Sequence, residues 1–366
     1  MARTKSTRSE VSDRLAQLTK VAGKMTAWRP GTEVLTRVTS QKTIFPAINR
    51  DTQVGGWPNQ RIALIHGMSG HGKTSFVHGI GLSYLMGGHF YLFVDAEYTS
   101  PEEWLRKLMA EHADHPGFRA LRPTSYEQTT EAVRDAARAI VDAKKSGDLP
   151  PDVACFIVVD SIRKLVPEKL MKALEKDEGG IDGMSGRAAM MKAALNAQWL
   201  DELVPLAHHC NLSIAIIARE MEKAATQPWE DDFKIAGGKA LVFESSLVAR
   251  VMRSGYVYRG EGKDREALGE RHSVRITKTK VAASDGKSTD SFFHTSNGKL
   301  VPEGFDRARD IVELGKQLGI LTTRGSSIAW GDVKLGQGDH QAVKRLSDDK
   351  ELFARIEEAL VTGEVP

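Results

Sequence analysis

The residues Gly67-Met68-Ser69-Gly70-His71-Gly72-Lys73-Thr74, followed by Ser75, carry the spacing G-x-x-x-x-G-K-[ST]. That spacing belongs to loops that grip the phosphates of a nucleoside triphosphate. The glycines let backbone N–H groups curl around the α- and β-phosphates. Lys73 reaches toward the β- and γ-phosphates, and the Thr74 hydroxyl is suited to holding Mg²⁺. Two carboxylate segments could complete such a site. Cys155-Phe156-Ile157-Val158-Val159-Asp160-Ser161 is an apolar run ending in an acid, the form of a Walker B strand, so Asp160 is expected to support Mg²⁺ directly or through water. Phe93-Val94-Asp95-Ala96-Glu97 ends a second apolar run. Glu97 is placed there to orient a water, or take its proton, for attack on the γ-phosphate, whereas Asp95 is open to a structural role. The chemistry these residues point to is hydrolysis of ATP with Mg²⁺.

These residues need a scaffold that brings strand ends to one edge. Arg61–His66 is a short apolar run before the loop, and Ser75–Met86 carries apolar residues at helical spacing, so the motif has the strand–loop–helix setting it needs. The pattern predicts strands at Ile62–His66, Phe90–Val94, Cys155–Asp160, Leu212–Ala218, Leu247–Met252, Val274–Thr279 and Ser291–Thr295. It predicts helices at Thr74–Met86, Pro101–Glu111, Glu127–Lys145 and Arg187–His208. The early alternation implies an α/β fold with a largely parallel sheet and helices on both faces, and the later strands read as hairpins. Lys169–Gly186 and Ala224–Gly238 read as long loops. Val11, Leu15, Leu18, Val21, Ala22 and Met25 lie on one face of an N-terminal helix. Such a helix, set apart by a linker, is expected to pack on the core or on a neighbouring subunit. After Pro302 the pattern gives a helix near Asp306–Leu318, a polar stretch with Gly325 and Trp330, and a charged helix from Asp339 to Leu360, read as a small separate domain.

The 366 residues are 41% hydrophobic and 27% charged, with a net charge of +3, which is ordinary for a globular protein and neither requires nor excludes nucleic acid. The basic residues of the first thirty positions form the clearest charged patch. Cys155 and Cys210 are two free thiols in apolar contexts and suggest neither a disulfide framework nor a metal set. The N-terminus lacks an apolar signal region, and no apolar run approaches the ~18 residues that span a bilayer, so a cytoplasmic protein is expected.

The ordered series Gly67–Thr74, Asp95-Ala96-Glu97, Val158–Ser161, Gly186–Met191, Gly237-Gly238-Lys239-Ala240-Leu241-Val242-Phe243 and Lys278-Thr279-Lys280-Val281-Ala282 resembles RecA-type homologous recombinases over nearly the whole chain. Gly336-Gln337-Gly338 extends the likeness into the C-terminal part, and the divergence elsewhere is like that of a phage-encoded relative. The resemblance implies a RecA-like P-loop ATPase core at 41–302 with a mostly parallel central sheet, preceded by an oligomerisation helix and linker at 1–40 and followed by a small α+β domain at 303–366. It implies that Glu97 is the general base and that Trp104 stacks on adenine, a position where an aromatic could equally serve packing. Lys278 and Lys280, two apart on a strand and so on one face, would reach a neighbouring subunit's ATP in trans. Loops around Asp177–Met184 and Glu222–Gly238 would bind DNA, through Met184, Arg187, Lys234, Gly237, Gly238 and Lys239. Phe243 would sit either at the subunit interface or in the core.

Two departures stand out. Where the family carries an amide that senses the γ-phosphate, this chain has Arg219-Glu220. Arg219 could contact the γ-phosphate, or it could pair with Glu220 and do neither. The second loop is also not basic, so stacking by Trp229 and Phe233 and backbone contacts would have to supplement its few lysines. One interface lysine of the family is replaced by Val242, and without an acidic tail no tail-mediated autoinhibition is expected. The sequence reads as an ATP-dependent recombinase forming helical filaments on single-stranded DNA, pairing it with double-stranded DNA and exchanging strands. Single-strand-binding or mediator proteins are further possible partners. Two other readings stay open: a ring-forming motor or regulatory ATPase on the same core, and an ATP-binding filament protein with little hydrolysis.

Overall fold

The computed structural model describes residues 16–22, 24, 38–175, 181–222, 233–260, 262–282 and 290–365, with the backbone alone for 173–175, 181–187, 222 and 264. The chain divides into two units, Met1–Val38 and Thr39–Pro366. In the first, residues 16–22 are helical and Lys24 lies in a turn; the rest of the predicted N-terminal helix lies outside the described residues.

The second unit opens with a two-stranded ribbon, β1 (Ser40–Gln41) and β2 (Trp57–Pro58), around helix α1 (Pro46–Asp51). The central sheet follows: β3 (Ile62–Gly67), β4 (Phe90–Asp95), β5 (Phe118–Leu121), β6 (Cys155–Asp160), β7 (Leu212–Glu222), β8 (Phe233–Ile235), β9 (Leu247–Arg259), β10 (Glu266–Thr279), β11 (Asp290–Ser296) and β12 (Gly304–Phe305). Its order is β12-β11-β10-β9-β3-β7-β6-β4-β5, with β8 added on β7. From β9 to β5 the pairings are parallel, and from β9 to β12 they are antiparallel. The hairpin reading of the late strands therefore holds, and β9 also serves the parallel half by pairing with β3. Helices α2 (Lys73–Met86), α3 (Glu102–Met109), α4 (Tyr126–Ser146), α5 (Glu168–Glu175), α6 (Ile181–Cys210) and α7 (Lys239–Glu244) connect the strands.

The parallel strands are covered on both faces, which is why they read as continuous apolar runs. Period two divides each strand between two cores. Ala63, Ile65, Phe156 and Val158 join Phe76, Ile80 and Tyr84 of α2 on one face. Ile62, Leu64, Ile157 and Val159 join Val133 and Ile140 of α4 and Leu200 and Leu203 of α6 on the other.

Three local expectations are corrected, and a strand, β5, is added to them. The loop expected over Ala224–Gly238 contains β8, which pairs with β7. Lys169–Gly186 is not one long loop: α5 and the start of α6 occupy most of it, because Leu170, Met171 and Leu174 already lie at helical spacing. β5 went unpredicted, since an edge strand of four residues with two exposed side chains leaves no run or alternation to read. The single charged helix from Asp339 to Leu360 is two helices, α9 (Asp339–Asp348) and α10 (Lys350–Thr362), broken at Asp349, whose side chain caps α10 by accepting the Leu352 N–H at 3.0 Å. With α8 (Arg307–Gln317) they pack on an antiparallel sheet of β13 (Thr322–Arg324), β14 (Ser327–Trp330) and β15 (Val333–Gln337) around Ile311, Trp330, Leu346 and Ile356.

Candidate functional site

β3 ends in Gly67, and α2 begins at Lys73 behind Gly72, which sits in the left-handed region at φ 87°. A Cβ on Gly72 would lie 2.5 Å from His272 Nδ1, so glycine is required there by both conformation and space. His272 Nδ1–H donates to the His71 carbonyl at 3.1 Å, while its ring stacks on Phe293 at 4.6 Å. The loop is thus buttressed from β10.

Lys73 donates to the Met68 carbonyl at 2.7 Å, bridging the loop from within. Burial pulls its ammonium below the usual lysine range, against the pull of the Asp160 carboxylate. Thr74 Oγ1 donates to Asp160 Oδ2 at 2.6 Å. Burial pushes Asp160 up to about 6, with the Thr74 hydrogen bond acting the other way and the nearby Glu97 charge adding to the rise. A short oxygen-rich pair of this kind suits a hard divalent cation, whose charge would favour the ionised form of Asp160 further.

Glu97 lies one turn of chain beyond β4 and accepts from Ser161 Oγ at 2.7 Å. Arg219, on β7, holds the same carboxylate with both arms: Nε donates to Oε1 at 3.1 Å and Nη2 to Oε2 at 2.8 Å. Arg219 pairs in register with Gly67, which sets its guanidinium beside the phosphate loop. The alternative of an Arg219–Glu220 pair is therefore excluded. Glu220 points the other way along the strand, to His66 and Arg250. Asp95 has the structural role left open above, accepting from the Thr99 and Ser100 N–H groups and from Arg122 Nε at 3.1 Å.

A cleft of about 360 Å³ opens over these groups. It is lined by Ser69, Gly70, Gly72, Lys73, Thr74, Ser75, Glu97, Trp104, Asp160 and Arg219, which brings most of the expected nucleotide residues together. Residues 9–293 match the family model of the RecA N-terminal domain, and residues 309–362 that of the RecA C-terminal domain. This chain belongs to the RecA family.

Among its relatives, the protein RecA of Aquifex aeolicus (strain VF5) is 32% identical over 314 residues, 85% of this chain and 80% of its own length. The protein RecA of Clostridium tetani is 29% identical over 309 residues, 84% of this chain and 77% of its own. That of Wolinella succinogenes is 25% identical over 362 residues, 99% of this chain and 93% of its own.

Within this RecA-family cleft, several walls had no sequence signal. Glu270, His272, Thr295 and Ser296 arrive from the antiparallel half of the sheet, as does Gly304, the first residue of β12, with Glu303 just before it. Only strand order, which no local pattern reveals, brings them to the phosphate loop. Trp104 lines the cleft with its ring edge-on to His78 at 5.4 Å, so it serves packing and the cleft at once.

Lys278 and Lys280 lie elsewhere. Lys278 Nζ donates to the Val242 and Phe243 carbonyls at 2.5 and 2.8 Å, and Lys280 Nζ to the Phe243 carbonyl at 2.8 Å. They close the C-terminal end of α7, and both do face one way along the strand. Phe243 is 65% exposed, which excludes the core alternative. Gly237 and Gly238 both have positive φ, and the Gly237 carbonyl accepts from Asn196 Nδ2 at 2.9 Å. Lys234 and Lys239 are exposed nearby. The backbone of Met184 and Arg187 lies on α6, their side chains outside the described residues, as do Trp229 and the rest of 223–232.

Proposed function

We propose that this RecA-family chain is an ATP-dependent recombinase that polymerises on single-stranded DNA as a helical filament and carries out homologous pairing and strand exchange. The observation that carries this reading is the Glu97 carboxylate standing over the same cleft as Lys73 and the Thr74–Asp160 pair, in a chain matched to RecA domains at both ends. The phosphates of ATP lie along the Gly67–Thr74 loop, and Trp104 stacks on the adenine. Thr74 and Asp160 hold Mg²⁺, whose charge offsets that of the phosphates. Glu97 orients the attacking water and takes its proton.

Lys278 and Lys280 complete the neighbouring subunit's site, where their charge meets that developing on the γ-phosphate. The exposed Phe243 ring beside them belongs to the same contact. Head-to-tail repetition of one such contact generates an open helix rather than a closed dimer. Residues 1–40 pack on the neighbour, 41–302 form the ATPase core and 303–366 the small C-terminal domain. DNA lies along the face bearing Met184, Arg187, Lys234, Gly237, Gly238 and Lys239. Single-strand-binding or mediator proteins are further partners, and the cytoplasm is the proposed location. No described helix is long and apolar enough to cross a membrane.

ATP turnover measured with and without single-stranded DNA, beside Lys73→Ala and Glu97→Gln, tests the reading. DNA should stimulate turnover, both variants should lose it, and wild type should exchange strands. Closed hexamers without DNA under negative stain, with no strand exchange, would favour a ring-forming motor instead.

A further inference from the structure

Among the described residues, the Arg219–Glu97 ion pair is the one bidentate contact made inside the cleft. It engages both oxygens of the carboxylate that the reading above assigns to water, and Ser161 adds a third hydrogen bond. A carboxylate whose two oxygens are both occupied in this way is poorly placed to receive a proton. Glu97 is 12% exposed and Arg219 33%, so the pair is sheltered but not sealed. Arg219 is anchored by the pairing of its strand with Gly67, at the mouth of the phosphate loop. A guanidinium in that position has one competitor of matching geometry, a terminal phosphate, which it can also take with two arms.

We propose that Arg219 is a latch that discriminates nucleotides: it holds Glu97 closed, and opens only when a γ-phosphate draws the guanidinium away. A nucleoside diphosphate presents no group at that point and leaves the latch shut. The inference rests on the cleft binding nucleotide, but not on strand exchange. With both oxygens engaged by Arg219, and Ser161 on one of them, a closed Glu97 is blocked as a base. A ligand shifts such an equilibrium only through its different affinity for the two states. The difference here is the γ-phosphate.

The test is a binding cycle on the full chain with Mg²⁺ and two probes, ADP and the slowly hydrolysed analogue ATPγS. In Glu97→Gln the latch has lost its partner, so ATPγS no longer has to break it. The expected result is a gain in ATPγS affinity of roughly 5- to 20-fold, with ADP affinity unchanged. Removal of a negative charge from the cleft would also help a triphosphate, but that help would persist without Arg219, so the gain should shrink several-fold in the Arg219→Gln background. A gain undiminished in Arg219→Gln, an equal effect on both probes, or no gain at all overturns the proposal. Should Arg219→Gln fold poorly, Arg219→Lys keeps the charge without the fork and should retain less than half of the effect. Loss of strand exchange in wild type with the binding cycle intact would sink the recombinase reading and leave the latch standing.

Discussion

Arg250 holds Glu220 with both arms of its guanidinium, Nε to Oε1 at 2.7 Å and Nη2 to Oε2 at 2.8 Å. His66 Nδ1–H donates to the same Oε1 at 2.8 Å, and Phe233 closes the cluster, its ring 4.2 Å from the Arg250 guanidinium carbon and stacked on His66. His66 is the last residue before the phosphate loop's first glycine, and Phe233 is the first described residue after segment 223–232. One buried charge thus ties the base of that segment to the strand that carries the loop.

The Glu220 side chain is 2% exposed and that of Arg250 24%, so removing the acid leaves a sheltered cation unpaired. Glu220→Ala should cost about 3 kcal/mol and lower the unfolding temperature by roughly 5–10 °C. The pair also has a pH signature. Burial raises the Glu220 carboxyl, but His66 and Arg250 outweigh it and hold it below its ordinary value. A carboxyl depressed in the fold contributes stability that is present above the unfolded value, about 4.3, and is lost as pH falls through the folded one. Thermal melts of wild type and Glu220→Gln should therefore stand furthest apart near neutrality and begin to approach one another as pH falls below the unfolded carboxyl value.

Two of the three loop glycines with positive φ, Gly70 and Gly72, should differ in their tolerance of a methyl group. Gly70, at φ 75°, has open space where a Cβ would point, whereas at Gly72 that atom would strike the His272 ring. Gly70→Ala should carry the conformational strain alone, about 1 kcal/mol. Gly72→Ala must also move His272 off the loop, at about 2–3 kcal/mol, and should weaken nucleotide binding by tenfold or more. Calorimetric titration with ATPγS beside thermal melts measures both. Equal behaviour of the two variants would mean that His272 does not shape the loop.

If Lys278 and Lys280 act on a neighbour's nucleotide, Lys73→Ala and Lys278→Ala should complement one another. Each alone should be inactive. In a one-to-one mixture, about a quarter of head-to-tail contacts join two intact half-sites, so DNA-dependent turnover should recover to about that fraction. Lys278→Ala should cost only about 1 kcal/mol of stability, since Lys280 still caps the Phe243 carbonyl. A mixture no more active than its parts would place both lysines' role within their own subunit.

The nucleotide side of the cleft was legible because its signals are local. Gly67, Gly72, Lys73 and Thr74 are fixed relative to one another by a turn of eight residues, and Asp160 and Glu97 each end an apolar run whose length marks a strand. The partner of Arg219 was less so, although the signal existed. The strand expected to stop at Ala218 continues to Glu222, and in an extended strand neighbours face opposite sides, so Arg219 and Glu220 could not pair.

What the linear pattern determined by itself is the phosphate loop, the two acids and the alternation of strand and helix, because turn chemistry and side-chain periodicity act over a few residues. The tertiary structure alone decided that β7 lies beside β3, so that Arg219 comes to rest opposite Gly67 and closes on Glu97 rather than standing free. It decided likewise that His272 and Ser296 wall the cleft from the antiparallel half. Strand order is set by how two cores pack on opposite faces of one sheet, a property of the whole chain that no short stretch of it records.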